Sequence, residues 1–307
     1  PNIDRLAAEG VHFTNSFVTT SLCSPSRASF LTGQYATNHG VQNNLTPWNE
    51  DNVTFLELLH TAGYHTGFIG KWHMPGHGLP DMVGQGKLDR MVSFTVSGGQ
   101  GRYFDCPLFV DGEKVQHEGY ITDVLTDYAL EFLDETKEKP FCLFLSHKAV
   151  HHGFLPPPRY KGKLADAPLR ELEGDPRHPY GEIHRVQARH FEENQQGYYE
   201  ALMAVDDSVG RVLDYLDEKG TAENTLVVYA GDNGYFWGEH GLIDKRYAYE
   251  ESIRIPHLLR YPRMISDGGR KVDEMVLNID LAPTLLAAAG LGGLPSPDGV
   301  NYLPLCT

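Results

Sequence analysis

The chain has 307 residues, 41 % hydrophobic and 22 % charged, an ordinary globular balance with ample length for a buried core. Its 26 Lys and Arg against 41 Asp and Glu give a formal charge of −15, which argues against a nucleic-acid binder, whose phosphate contacts need clustered cations. No run approaches about 18 uncharged apolar residues, so no transmembrane segment is expected. The four cysteines (Cys23, Cys106, Cys142 and Cys306) form neither a zinc-site spacing nor a disulfide framework.

In chain order, Pro1 suits a first helical position, Leu6 and Ala7 follow at helical spacing, and Gly10 is a stop. The sequence opens without Met or a signal-peptide core and closes just after the Gly/Pro-rich stretch 290–299, so it reads as a fragment, a single domain over 1–307 truncated at both ends. A helix is expected over 121–133. Phe141-Cys142-Leu143-Phe144-Leu145 then reads as a strand covered on both faces. The stretch 155–192, rich in Pro, Arg and Glu without periodicity, reads as a long surface excursion. Ala201, Leu202, Val205, Val209, Val212, Leu213 and Leu216 recur at helical spacing up to Gly220. A second buried strand covers 225–230, and 256–261 is a weaker strand candidate. Helix followed by buried strand, twice over, indicates an α/β layered fold whose ligands gather beyond the carboxyl ends of the strands. His147 and Asp232-Asn233 fall at those ends.

Four constellations carry chemistry. Cys23-Ser24-Pro25-Ser26-Arg27 with Leu31-Thr32-Gly33 places a cysteine before a Pro-containing turn and a helix, where an anion is stabilised. A lone cysteine is more often a small buried hydrophobe, but here seven residue types stand at fixed spacing. Gly70-Lys71-Trp72-His73 puts a cation and an imidazole on one side of an extended segment, where both can meet one anion. Ser146-His147-Lys148-Ala149-Val150-His151-His152 is a His-rich turn without a zinc-protease pattern, and such clusters are more often solvated. Gly231-Asp232-Asn233-Gly234 has turn chemistry, yet offers hard oxygen ligands suited to Ca²⁺ or Mg²⁺; Gly238-Glu239-His240-Gly241 and Lys245 follow.

These motifs, in this order and over essentially the whole chain, resemble the sulfatase family. Its signature is Cys-x-Pro-x-Arg followed by Thr-Gly, and Gly63-Tyr64-His65-Thr66 with Gly70-Lys71-Trp72-His73 matches its second signature without a gap. The resemblance implies an alkaline-phosphatase-like sandwich of helices on a large, mainly parallel sheet. It implies that Cys23 is oxidised to formylglycine, hydrated and used as the nucleophile. Lys71 and His73 would contact the formylglycine and the sulfate, Asp232 and Asn233 would ligate calcium (magnesium as second choice) together with position 23, and Lys245 would bind a sulfate oxygen. Sulfatases carry Pro-His-x-Pro where this chain has Val150-His151-His152-Gly153. His151 is carried over as sulfate ligand and leaving-group acid, with His147 and His152 as rivals. His240 would line the pocket without being catalytic. An Asp-Asp pair at the end of a first strand, with that strand, would precede Pro1, and a C-terminal subdomain would follow Thr307.

A sulfate monoester repels nucleophiles and has a poor leaving group, so its hydrolysis needs clustered positive charge, a strong nucleophile and an acid. By resemblance Arg27, Lys71, Lys245 and the cation supply the first, formylglycine the second and His151 the third, with His73 as the base that releases sulfate. The Asp232–Lys245 block, with Gly-Leu-Ile-Asp-Lys-Arg at 241–246, looks most like N-acetylglucosamine-6-sulfatases, and the stretch 22–33 and Ala204-Val205-Asp206-Asp207 agree, which implies a sulfated sugar or glycosaminoglycan as substrate. The implied partners are a formylglycine-generating or anaerobic sulfatase-maturing enzyme, and the implied location is outside the cytoplasm. Two other readings stand beside this one: a phosphonate or phosphate monoester hydrolase of the same superfamily, and an inactive anion- or sugar-binding relative.

Overall fold

The computed structural model describes residues 1–74, 82–94, 99–136, 139–169 and 191–307. The chain enters through α1 (Asn2–Glu9), β1 (Val11–Phe13) and β2 (Ser16–Phe17), then α2 (Cys23–Thr32), α3 (Ala36–His39) and α4 (Phe55–Thr61). Next come β3 (His65–Gly70), β4 (Arg90–Phe94), β5 (Leu108–Val110), β6 (Glu113–Val115), α5 (Ile121–Thr136) and β7 (Phe141–Ser146). The second half holds α6 (Phe191–Glu218), β8 (Val227–Ala230), β9 (Phe236–Trp237), β10 (Ile243–Asp244) and α7 (Glu250–Ile253). It finishes with β11 (His257–Arg260), β12 (Arg270–Val272), β13 (Val276–Leu277) and α8 (Leu281–Ala288).

The α/β layered fold expected from the alternating elements is present, with a mixed rather than mainly parallel sheet. A five-stranded sheet runs β6-β5-β4-β3-β7, parallel from β4 through β3 to β7 and antiparallel beyond. A separate four-stranded sheet runs β12-β1-β11-β8, with β11 antiparallel to both of its neighbours. Helices cover both faces. Phe55, Leu59 and Phe68 pack with Ala282 and Leu286 on the α4/α8 side, while Leu125, Ala129 and Phe132 form the core on the α5/α6 side.

The sequence-expected elements recur with three differences. α6 begins at Phe191, ten residues before its periodic apolar face, while residues 170–190 of the expected surface excursion lie outside the described residues. The weak strand 256–261 is β11, paired on both edges. β7 and β8, read as covered strands, are only half-buried over most of their length. Their helix-facing sides are packed; β7 pairs with β3 alone and β8 with β11 alone among the described residues, and those open edges leave the strands partly exposed.

Candidate active site

The site lies at the carboxyl ends of β3, β7 and β8, where the first turn of α2 meets them. Leu22 is extended, and Cys23 is the first helical residue, so its side chain sits at the positive end of α2. Every residue of α2 is buried, which fixes both Cys23 and Arg27 from a rigid element. Gly70 ends β3 at φ 118°, and a Cβ there would lie 1.9 Å from the Ser146 carbonyl oxygen. Only glycine lets the chain pass this close to β7, and the next residue, Lys71, donates its amide to that same oxygen at 2.7 Å.

Lys71 is 1 % exposed and its Nζ lies 3.4 Å from Cys23 Sγ. Burial draws the Lys71 ammonium down to about 8, with Arg27 and Lys245 pushing the same way and Cys23 opposing. Burial by itself would raise the Cys23 thiol. The Lys71 charge, with hydrogen bonds from His151 and His73, outweighs it and holds the thiol well below its usual range. Lys245 is buried as well; Cys23 and Asp232 keep its ammonium above the usual value against the desolvation that opposes them. Cations, imidazoles and one thiol therefore converge on a single point.

The extended geometry expected for Lys71 and His73 holds only as far as Lys71. His73 adopts φ 57°, and that left-handed turn brings its ring back to Cys23. Burial holds this imidazole below its usual pKa. Two contacts that sequence reasoning missed fix it: the Ser24 hydroxyl donates to the His73 carbonyl, and the Gln100 amide lies 2.7 Å from its Nε2.

Arg27 is committed within the protein. Its Nε and one terminal nitrogen donate to Asp232 Oδ2 at 3.0 and 2.8 Å, and the other terminal nitrogen donates to the Lys71 carbonyl at 2.6 Å and to the Ser146 hydroxyl. Burial would raise the Asp232 carboxyl, but Arg27, Lys71 and Lys245 hold it well below the usual carboxylate range. Asn233 gives its Nδ2 to the Gly234 carbonyl, while its Oδ1 is buried without a hydrogen-bond partner. A permanently ionised carboxylate beside an orphaned amide oxygen suits a hard divalent cation. Among the described residues no group of three or more His, Cys, Asp or Glu side chains that could hold a metal ion is found.

The three histidines after β7 separate cleanly. His151 hydrogen-bonds to Cys23, and burial, reinforced by Lys71 and Lys245, lowers its imidazole to about 4. His147 points the other way and meets Ser208 of α6 at 2.9 Å. His152 is exposed and edges against Phe154. His240, expected at the pocket, stacks on Tyr249 with ring centroids 4.2 Å apart and reaches Glu251.

Lys148 is a further buried cation that the sequence reading passed over. It donates to the Gln100 carbonyl at 3.0 Å and lies 5.0 Å from the Tyr103 ring centre, tying the turn that bears His151 to the segment that holds His73. Its position inside the His-rich motif is the signal that was available.

A family model described as Sulfatase matches residues 1–291. The N-acetylglucosamine-6-O-sulfatase of Bacteroides thetaiotaomicron is 31 % identical over 375 residues, covering 99 % of this chain and 66 % of the relative. The N-acetylglucosamine-6-sulfatase of Capra hircus is 31 % identical over 325 residues, covering 96 % of this chain and 58 % of the relative. A solved protein in complex with its substrate D-glucosamine-2-N,6-O-disulfate superposes with a TM-score of 0.88 at 30 % identity, covering 100 % of this chain and 74 % of the other. The chain thus spans 66 % and 58 % of the lengths of these two curated relatives. No helix among the described residues is long and apolar enough to cross a membrane.

Proposed function

Since the chain belongs to the sulfatase family, we propose that it is the catalytic core of an enzyme that hydrolyses sulfate monoesters on sulfated sugars, with position 23 as the nucleophile. The observation that carries this reading is the convergence on Cys23 of Lys71, Lys245, His73 and His151 at the start of α2. The relatives' names favour a 6-sulfated N-acetylglucosamine unit as the substrate.

Converted to formylglycine by a formylglycine-generating or anaerobic sulfatase-maturing enzyme and hydrated, position 23 would supply a geminal diol: one hydroxyl, losing its proton to solvent, would attack sulfur as the alcohol leaves, and the other would let sulfate leave by C–O cleavage. Asp232 Oδ1 and Asn233 Oδ1 would hold a divalent cation, calcium in this reading, which supplies charge that makes a nearby hydroxyl more acidic. Lys71 and Lys245 bind the sulfate oxygens and stabilise the charge that builds on them as sulfur is attacked. Arg27 stays on Asp232, keeping that carboxylate ionised and oriented. His151 gives its proton to the departing alcohol oxygen. Without an anion its proton is held weakly, at about 4, because burial disfavours the charged ring and Lys71 and Lys245 add to that; a sulfate ester between them would offset the lysines' share and shift the ring toward its acid form. His73, held neutral by burial, takes the proton of the second hydroxyl when sulfate departs. The same reading places the mature enzyme outside the cytoplasm, where sulfated polysaccharides are met.

The reading is tested by comparing turnover of N-acetylglucosamine-6-sulfate with that of the matched 6-phosphate, using matured full-length enzyme. Preference for the sulfate supports it. Preference for the phosphate would assign the same site to phosphomonoester hydrolysis instead.

A further inference from the structure

His73 and His151 reach Cys23 from different segments, one beyond β3 and the other beyond β7. A single stretch of chain, residues 99–103, holds both. Gly99 lies flat against His73: it adopts φ 57°, and a Cβ there would stand 3.0 Å from His73 Cδ2 and 3.1 Å from its Cα. Any side chain at this position would push the ring aside. The neighbouring Gln100 amide nitrogen is 2.7 Å from His73 Nε2, and Gln100 Oε1 is buried without a hydrogen-bond partner. Turned over, the same amide would accept from an Nε2–H through that oxygen, leaving the lone pair of Nδ1 to take a proton. Gln100 can therefore hold this ring by its edge in either tautomer.

At the far end of the stretch the Tyr103 hydroxyl donates to the His151 carbonyl at 2.6 Å. Tyr103 is itself fixed: its buried ring stacks on Tyr120 with centroids 5.9 Å apart, and its carbonyl accepts from the Ile121 amide at 2.9 Å. Phe104 then bridges to Tyr120, so the foot of the stretch is fastened to the start of α5. Lys148 braces the middle. It is buried, donates to the Gln100 carbonyl at 3.0 Å and lies 5.0 Å from the Tyr103 ring centre. A carbonyl and a ring face together solvate that buried charge, which favours the arrangement in which both stay in place. Arg102, between them, is exposed and donates to the Asp105 carbonyl.

In the turnover proposed above the two histidines serve different halves. His151 gives a proton to the alcohol oxygen as sulfate passes to position 23, and His73 takes a hydroxyl proton as sulfate departs from it. We propose that residues 99–103 form a positioning strut for both histidines, in which Gln100 aims the base that releases sulfate and Tyr103 aims the acid that serves the leaving alcohol. The strut rests on the sulfatase reading, and it makes the two halves of turnover separable by substitution.

The test uses matured full-length enzyme with 4-nitrophenyl sulfate, whose phenolate leaves without an acid, and with N-acetylglucosamine-6-sulfate. In Gln100→Leu the first turnover of the aryl ester keeps the parent's rate, releasing about one phenolate per active site, and later turnovers are about 10–100-fold slower. Tyr103→Phe keeps the ring beneath Lys148 and removes only the bond to His151. It lowers kcat/KM for the sugar sulfate about 10-fold and leaves the aryl ester within about twofold of the parent. Lys148→Met, which releases the strut at both residues, shows both defects, while Arg102→Ala shows neither.

A Gln100→Leu enzyme slowed equally in first and later turnovers overturns the strut, as does a Tyr103→Phe enzyme impaired equally on the two esters. If either variant is insoluble, Lys148→Met decides, and parent-like turnover of both esters by it overturns the strut. These outcomes leave the sulfatase reading standing. A parent enzyme that turns over neither ester overturns that reading, and the strut with it.

Discussion

Lys71 Nζ lies 3.4 Å from Cys23 Sγ, with both side chains almost wholly buried. Neither group is comfortable there without the other. Burial pushes the lysine toward its neutral form and the thiol away from its ionised form, and their mutual attraction opposes both trends. The pair sets a buried cation directly opposite the side chain at position 23. Lys71→Met in the unmatured chain will therefore raise the titration midpoint of Cys23, read by thiolate absorbance. In matured enzyme the same replacement will lower kcat by about 10²–10³-fold. An unchanged thiol titration contradicts the pairing.

Arg27 and Asp232 form a different kind of pair, in which both charges are spent inside the protein. Arg27→Ala removes the hydrogen-bonded counter-charge of a half-buried carboxylate, leaving Lys71 and Lys245 to compensate it in part, and should cost about 1–3 kcal/mol of stability. The double replacement Arg27→Ala with Asp232→Ala should cost less than the sum of the two single ones. Denaturant unfolding of the four proteins measures the coupling, and additive losses would show that the two side chains do not interact.

His147 and His151 lie four residues apart and are expected to behave oppositely. His151→Ala will abolish most turnover of sugar sulfates, whose alcohols leave poorly, and spare an aryl sulfate whose phenolate needs no acid. His147→Ala will leave kcat for both substrates near that of the parent and lower Tm, through loss of the contact with Ser208. The reverse pattern would exchange the two roles.

His39, His147 and His257 are each pulled down by burial from 6.5 to about 4. His257 shows why. Its two ring nitrogens meet Ser16 and Tyr302 at 3.0 and 2.9 Å inside the core, so both hydrogen-bond partners are neutral hydroxyls. The unfolded chain takes up protons near 6.5 and the folded one only near 4, so stability present above the first value is lost as pH falls toward the second. Tm will drop steeply across that window. A flat Tm there contradicts the neutral assignment of these rings.

Much of this site was legible in the sequence because dense motifs fix residue types on short, rigid stretches. Cys23 and Arg27 are one helical turn apart on α2, and Asp232-Asn233 leaves β8 directly into the pocket. The split between His147 and His151 was legible in part. Phe141, Leu143 and Leu145 face the α5/α6 core, and His147 continues that alternation onto Ser208, away from the pocket. Ser146, Gln100 and Lys148 were not legible as site residues. Their roles arise only when three separate segments meet: Ser146 bonds Arg27 and the Lys71 carbonyl, Gln100 reaches His73, and Lys148 anchors Gln100. The turn at His73 was hidden for a similar reason, since a left-handed histidine persists only where packing imposes it. The half-buried edges of β7 and β8 were also missed, because apolar composition reports what a strand prefers to bury and not what lies beside it.

Position 23 is proposed as the nucleophile, in the form of formylglycine. Trypsin releases Leu6–Arg27 as one peptide containing Cys23, and its mass after production with a formylglycine-generating enzyme decides the matter. The account predicts a species about 18 Da lighter than the thiol form, rising in proportion to sulfatase turnover. Turnover of N-acetylglucosamine-6-sulfate by protein whose Leu6–Arg27 peptide carries only the unmodified thiol would contradict it.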